Sequence, residues 1–127
     1  MLLFDTLDEL ESYEKIIPDF VQIIDTLDHS RPYDEGPGDY KTREKDGISY
    51  KIDSFLSSPN GFSSQAVESR VLEICLEGEE LVNADGSVFK LSPGRFLIYD
   101  GDARVKRGIM FSTPIAFKAV RFFLKRV

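Results

Sequence analysis

Apolar and polar residues alternate along much of the chain from residue 48 onward. In the segment ISYKIDSFLS, which begins at Ile48, every second residue up to Asp53 is apolar, and this period of two is typical of a half-buried strand. The sequence NADG at 83–86 predicts a hairpin turn. Further strands are predicted at 70–82, 87–91, 95–99, 103–110 and 115–125. Short strands at this spacing predict an antiparallel sandwich or barrel.

The N-terminal residues follow a helical pattern instead. Thr6 and Glu9 have the spacing of a capping box, which predicts a helix over about 7–15. Pro18 suits a first helical turn, and helical spacing after it predicts a second amphipathic helix. The apolar residues with that spacing are Phe20, Ile23, Ile24 and Leu27. Residues 30–47 are rich in proline, glycine and charge, so we expect a loop there.

Composition and charge narrow the class of protein. A chain of 127 residues suits a single domain over residues 1–127. The net charge of −6 gives no electrostatic footprint for nucleic acid. The single cysteine, Cys75, excludes an internal disulfide framework and fits a small core residue in a reducing compartment. No apolar run approaches a membrane span and the N-terminus is acidic, so we expect a cytoplasmic protein without a membrane partner.

The strand at 70–82 carries charge among its apolar residues. Glu73 and Glu77 share one face of it. Exposure of that face to water is favoured, because one-sided solvation is common in antiparallel sheets; the alternative is that it lines a ligand-binding lumen. Arg121 and Lys125 on the last strand could oppose Glu73 and Glu77. Such cross-strand ion pairs contribute only about 0.2–1 kcal/mol, so a structural role accounts for them adequately.

Several segments together resemble the YhcH/YjgK/YiaL family of small bacterial cupin-like proteins, which includes the EbgC and TabA types. They are LLFDTLDELESY, IIPDF, DGISYKIDSF, LEGEE, LSPGRFLIYDGDA and RFFLKRV, and the likeness covers nearly the whole chain. The resemblance implies a mainly β fold, a cupin-like antiparallel sandwich of the jelly-roll type, with two short N-terminal helices. It also implies frequent dimerisation and a role with small carbohydrates such as sialic acid or galactosides, including anomerase activity.

The chain departs from the family at the metal-site motifs. An ungapped count back from Glu77 places the Glu, His and Arg of the family's Glu-x-His-Arg segment on Ser64, Ala66 and Val67. The Asp and Gln that follow them fall on Val71 and Glu73. Arg104 stands where the family has a second His, and the only histidine, His29, fits a helix C-terminus. Because imidazole-carboxylate sites need several converging ligands, we predict no metal and no cofactor.

Five residues are candidates for contact with a small-molecule ligand. Arg104 could hold a carboxylate or sugar hydroxyls and replace a metal as the positive element; pairing with a neighbouring aspartate is the equally favoured alternative. Glu73 and Glu77 lie roughly 13 Å apart along a strand, too far for one close carboxylate pair. The ligand-binding candidates are Glu73, Glu77, Arg104, Arg121 and Lys125, with Glu77 and Lys125 also the catalytic candidates.

Three functions fit these observations. The favoured one is a divergent, metal-free binding protein for a small carbohydrate or carboxylated ligand, with an accessory or regulatory role in sugar metabolism. The alternative is a sugar anomerase or isomerase that uses Glu77 with Arg104 or Lys125. The third is a protein that acts through its surface, with a filled pocket closed by Phe55, Phe62 and Phe111. In the first two, Glu77→Gln weakens ligand binding.

Overall fold

The computed structural model describes residues 2–17, 20–29, 31–42, 47–57, 62–63, 69–84, 86–101, 106–108 and 115–124. The helical segments are a 3₁₀ helix at Leu7–Tyr13, α1 at Phe20–Asp28 and α2 at Arg31–Asp34. The strands are β1 Leu3–Thr6, β2 Gly38–Lys41, β3 Ser49–Ser57, β4 Phe62–Ser63, β5 Arg70–Glu77, β6 Glu80–Ala84, β7 Ser87–Leu91, β8 Arg95–Asp100, β9 Lys106–Gly108 and β10 Ile115–Leu124. The predicted mainly β class is confirmed. Within the described ranges, the helices lack the length and apolarity that crossing a membrane requires.

The strands form two antiparallel sheets over the described residues. The larger sheet has the order β1-β8-β5-β10-β3-β2, and the smaller sheet has the order β4-β9-β6-β7. The hairpin predicted at 83–86 joins β6 to β7, with Ala84 paired to Ser87. In the larger sheet, β10 pairs with both β3 and β5. The predicted antiparallel sandwich is therefore confirmed.

Each face of the larger sheet is covered by a different layer. On one face, Tyr50, Ile74, Phe96 and Phe122 pack with the N-terminal part of the chain. Its contacting residues are Leu10 of the 3₁₀ helix, Ile17 between the helices and Ile23 of α1. On the other face, residues of the larger sheet pack against Val82, Ala84 and Leu91 of the smaller sheet. We call this second face the inner face. Its apolar residues in the larger sheet are Val71, Cys75, Leu97, Phe117 and Ala119.

Strand β5 lies between β8 and β10 and is buried on both faces. Leu72 and Ile74 face the helical layer, whereas Val71 and Cys75 face the smaller sheet. Glu73 alternates with them on the inner face and is 0% exposed. The expectation that water solvates this face is therefore wrong at Glu73. One-sided solvation applies to a sheet with one open face, and here the smaller sheet covers it.

The N-terminal segment differs from its predicted form. Residues 3–6 form a strand that pairs with β8, and the helix after it is a 3₁₀ helix that ends at Tyr13. Thr6 makes no side-chain cap; its backbone N–H instead donates to Asp5 Oδ1 at 2.7 Å. The capping-box prediction is therefore wrong, because Asp5 accepts from the Thr6 N–H that Glu9 would have to accept from. The second predicted helix is confirmed as α1, and Pro18 lies outside the described residues.

Two other segments contain structure that local pattern did not predict. The predicted loop at 30–47 includes α2 and the edge strand β2, where Tyr40 stacks on Tyr50 with 5.4 Å between ring centroids. The predicted strand at 70–82 is divided at Gly78 into β5 and β6, which belong to different sheets. The backbone of Gly78 has φ +79°, and a Cβ there would lie 2.0 Å from the carbonyl oxygen of Ala116. Of the strand predicted at 103–110, the described part is β9.

Candidate functional site

A buried arginine joins the two sheets across the inner face. Arg107 lies on β9 of the smaller sheet, and its side chain is 0% exposed. Its Nη1 donates to Glu73 Oε2 at 2.8 Å and to Glu80 Oε1 at 2.7 Å. Its Nη2 donates to Glu73 Oε1 and, at 3.2 Å, to the hydroxyl oxygen of Tyr99. The guanidinium thus connects Glu73 and Tyr99 of the larger sheet with Glu80 of the smaller one.

The two buried carboxylates have hydrogen-bond donors on every oxygen. The Tyr99 hydroxyl donates to Glu73 Oε1 at 2.9 Å, in addition to the bonds from Arg107. The Ser57 hydroxyl donates to Glu80 Oε2 at 2.7 Å. Buried charges are tolerated only when they are paired and hydrogen-bonded in this way. We call Glu73, Glu80, Arg107, Tyr99 and Ser57 the inner cluster.

The inner cluster shifts the proton affinity of its members. Burial raises the pKa of Glu73, but the charge and hydrogen bonds of Arg107, with help from Arg121 and Tyr99, outweigh burial and lower it to about 2. Burial also raises the pKa of Glu80, and Arg107 and Ser57 offset that effect only in part. Burial, reinforced by the charge of Glu73, raises the pKa of Tyr99. Glu73 is therefore an anion held by a neutral phenol and a permanent cation.

The low pKa of Glu73 predicts a specific acid sensitivity. A carboxyl whose pKa is about 2 in the fold and near 4.5 when unfolded stabilises the fold above pH 4.5 and loses that contribution between about pH 4.5 and 2. Burial raises the pKa of Glu80, so its contribution to stability has the opposite pH dependence and falls as pH rises above 4.5. We expect the free energy of unfolding, measured by urea titration from pH 6 to 2.5, to fall over this window.

The matched test of this prediction is Glu73→Gln against Glu77→Gln. We expect the Glu73→Gln protein to be less stable at neutral pH, because Arg107 loses a buried partner. Its stability should also decline less between pH 4.5 and 2.5. Glu77→Gln makes the same change of charge at an exposed position and should retain the wild-type slope. Equal slopes in all three proteins would show that Glu73 does not govern the acid response.

The inner face reaches solvent at a second ion pair. Arg121 lies opposite Glu73 in the sheet register, with its Nη2 3.1 Å from Asp53 Oδ2. The Arg121 and Asp53 side chains are 17% and 22% exposed, and Lys51 Nζ lies 3.9 Å from Asp53 Oδ1. A partly exposed guanidinium beside a partly exposed carboxylate offers donors and acceptors to a ligand that carries hydroxyl groups.

One donor of Arg121 is buried without a suitable acceptor. Its Nε lies 3.1 Å from Glu73 Oε1, yet in the described part of the chain this N–H makes no hydrogen bond of acceptable geometry. The contact with Glu73 is therefore an ion pair without a directed hydrogen bond. Both oxygens of Glu73 already accept hydrogen bonds within the inner cluster, so Arg121 Nε contributes its positive charge beside Glu73 and no further hydrogen bond.

The structure separates Glu77 from the other candidate residues. The register between β5 and β10 shifts at Lys118/Ala119, which pairs Glu77 with Lys118. Glu77 is exposed at the end of β5. The expected opposition of Arg121 and Glu73 is observed, whereas Glu77 faces Lys118. The residues expected to act with it, Arg104 and Lys125, lie outside the described residues, so their roles stay predictions.

Of the three phenylalanines expected to close a pocket, Phe55 is the one whose side chain the structure describes. Phe55 is partly buried and packs on Phe117 of the inner face, with 5.5 Å between ring centroids. The side chain of Phe62 and all of Phe111 lie outside the described residues. Phe55 therefore packs against the apolar residues of the inner face, and its role in closing a pocket stays a prediction.

Cysteine and histidine lie where the sequence suggested. Cys75 is buried in the inner core, and burial raises the pKa of its thiol to about 12. This thiol stays protonated at neutral pH and is a packing group, not a nucleophile. His29 follows α1, with its Nδ1 2.8 Å from the carbonyl oxygen of Asp25, the contact expected at a helix C-terminus.

With Arg107 bound to them, the described donor groups of the inner face do not fit a metal ion. In the described ranges, no three histidine, cysteine, aspartate or glutamate side chains are arranged to hold one. The two carboxylates that face each other, Glu73 and Glu80, already share the Arg107 guanidinium. The positive charge between these two carboxylates is therefore the guanidinium of Arg107.

The sequence pattern missed most of the inner cluster. In the sequence, nothing distinguishes Arg107 from the other basic residues of the segment ARVKRG, and Glu80 stands out only as part of LEGEE. A signal was present in the alternation of β6, because Glu80 shares a face with Val82 and Ala84, which are buried. A glutamate in line with two core residues requires a buried partner, either a cation or a hydrogen-bond donor. The distance in sequence between residues 80 and 107 hides which residue that is.

The fold is similar to those of cupin proteins. A cupin superfamily protein from Desulfitobacterium hafniense matches with a TM-score of 0.51 and 17% identity, over 72% of this chain and 80% of that one. A cupin-2 domain containing protein from Shewanella frigidimarina matches with a TM-score of 0.50 and 11% identity, over 83% and 97%. A protein from Neisseria meningitidis matches with a TM-score of 0.51 and 15% identity, over 78% and 95%. The chain thus has a cupin-like β-sandwich fold.

These similarities concern the fold alone. The sequence matches no protein-family model and no curated protein. Membership of the YhcH/YjgK/YiaL family therefore stays a prediction. The same holds for the cytoplasmic location and the homodimer that the resemblance implies.

Proposed function

We propose that this chain is a metal-free, cupin-like binding protein for a small polyhydroxylated or carboxylated ligand, with an accessory or regulatory role in sugar metabolism. The observation that carries the proposal is the partly exposed Arg121–Asp53 pair at the edge of the inner face. The Nε of Arg121 is buried 3.1 Å from Glu73 Oε1, so this contact holds the guanidinium in place while Nη2 lies beside Asp53.

The inner cluster supports this location by closing the deeper part of the interior. Every carboxylate oxygen of Glu73 and Glu80 is engaged, and the two side chains are fully buried. A ligand placed there would have to break bonds to buried charges, which is strongly unfavourable. At Arg121 and Asp53, by contrast, a hydroxyl group can accept from the guanidinium and donate to the carboxylate without removing a buried ion.

The test is ligand binding by wild type, Arg121→Gln and Arg70→Gln. A panel of galactose, galacturonic acid and sialic acid is titrated against labelled protein by NMR in the presence of chelator. We expect at least one ligand to bind wild type and to bind Arg121→Gln about ten- to a hundredfold more weakly, because a hydrogen bond to a charged group is worth about 1.5–3 kcal/mol. Arg70 pairs with Asp100 at the surface, so Arg70→Gln should retain wild-type affinity.

The same titrations distinguish the other hypotheses. Weakened binding in Glu77→Gln but not in Arg121→Gln would place the ligand at the far end of β5 and contradict the location proposed here. Accelerated exchange between anomers in the chelator-treated samples would favour the anomerase. Absence of binding across the panel would overturn the proposal in favour of a protein that acts through its surface, for which the filled interior around Glu73 is the supporting observation.

A further inference from the structure

The inner cluster has the composition of a cation site with the cation already in place. Glu73 and Glu80 bring two negative charges into a region closed to water, and one guanidinium lies between them. Arg121 adds a second positive charge at 3.1 Å from Glu73 Oε1. A divalent ion in the same place would meet these fixed positive charges at close range. The cluster therefore disfavours a metal for an electrostatic reason.

The oxygens around Arg107 are also the atoms that a metal would require. Both Glu73 oxygens, Glu80 Oε1 and the Tyr99 hydroxyl receive hydrogen bonds from the two terminal nitrogens of Arg107. They come from three different strands and converge on one guanidinium. Carboxylate and hydroxyl oxygens are hard donors that suit Mn²⁺, Mg²⁺ or Ca²⁺.

We infer that the Arg107 guanidinium takes the place of a metal ion in this sandwich, and that its removal uncovers a site for a hard divalent cation bound by Glu73, Glu80 and Tyr99. The inference rests on contacts at the inner cluster and is independent of the ligand proposed for Arg121. Wild type then binds no divalent ion at the inner cluster, because Arg107 lies between the two carboxylates and Arg121 adds a second positive charge beside Glu73.

The experiment titrates MnCl₂ into wild type, Arg107→Ala and Arg70→Ala. Thermal melting measures stabilisation of the fold, and the electron paramagnetic resonance signal of free Mn²⁺ measures binding. We expect Mn²⁺ to leave Tm of wild type and Arg70→Ala unchanged. In Arg107→Ala we expect one bound Mn²⁺ per chain and a rise in Tm of about 10 °C at a hundredfold excess over Kd. The rise should disappear in Arg107→Ala/Glu73→Gln.

An unfolded Arg107→Ala chain still provides a test, because binding restricted to the folded state would restore the fold. Recovery of the wild-type circular dichroism spectrum on addition of Mn²⁺ supports the inference. If Arg107→Ala stays unfolded in Mn²⁺, or folds but does not bind Mn²⁺, the inference that removal of Arg107 uncovers a metal site is overturned. If wild type instead binds one Mn²⁺ per chain and loses it in Glu73→Gln, that result overturns the inference that Arg107 excludes a metal from the inner cluster.

Discussion

Arg107→Met is expected to lower the free energy of unfolding by about 3–5 kcal/mol at pH 7, the usual result of removing one partner from a buried ion pair. Methionine occupies part of the arginine volume but leaves the carboxylates of Glu73 and Glu80 without their shared cation. The pKa values of both carboxyls then rise relative to wild type, because the Arg107 charge no longer opposes burial, although Arg121 and Tyr99 still act to lower that of Glu73. Urea denaturation at several pH values measures the effect.

The pH dependence of this variant should have the opposite sign to that of Glu73 in wild type. Carboxyls with raised pKa in the fold bind more protons than in the unfolded chain, so stability falls as pH rises and recovers as pH is lowered. The deficit of Arg107→Met should therefore shrink from pH 7 toward pH 5. Arg70→Met removes a surface pair and should change stability by no more than about 1 kcal/mol. Equal losses in the two variants, or a deficit that grows on acidification, would contradict the assigned role of Arg107.

Gly78→Ala is expected to destabilise the fold by about 3 kcal/mol or more, at the upper end of single substitutions. Gly78 has φ +79°, and the added Cβ would lie 2.0 Å from the carbonyl oxygen of Ala116. That oxygen belongs to the backbone of β10, which pairs with β3 and β5, so it cannot move aside without disturbing the larger sheet. Urea denaturation measures the loss.

Gly94→Ala is the matched control for this prediction. Gly94 has φ +88°, but a Cβ there would meet nothing within 4 Å. It therefore carries the backbone strain of a left-handed residue, about 1–2 kcal/mol, without the steric conflict. A loss at Gly78 no larger than that at Gly94 would mean that the close approach to Ala116 is relieved by small movements.

Both predictions concern the connection between the two sheets. Gly78 lies where the chain leaves β5 for β6, and Arg107 links these strands through Glu73 and Glu80. The link fixes the distance between the sheets and closes the interior around the inner cluster. Under the proposed function, ligand specificity then depends on the edge of the inner face, where Arg121 and Asp53 are partly exposed.

The sequence by itself determined the features that depend on local pattern. Alternation from Ile48 and the turn residues at 83–86 defined the strands and the hairpin, because side chains in a strand alternate between faces whatever lies beyond them. The helical spacing of 20–28 defined α1. The single cysteine was correctly predicted to be a core residue, since an unpaired cysteine behaves as a small hydrophobic group.

Only the tertiary structure decided which of those faces are buried and which charges meet. Glu73 and Glu77 have the same parity on one predicted strand, yet Glu73 is fully buried and Glu77 is exposed. The register shift between β5 and β10 at Lys118/Ala119 separates them. Arg107 reaches Glu73 from 34 residues away, from the other sheet. Alternation fixes the direction of a side chain within its own strand, whereas burial and charge pairing depend on the layer packed against that strand.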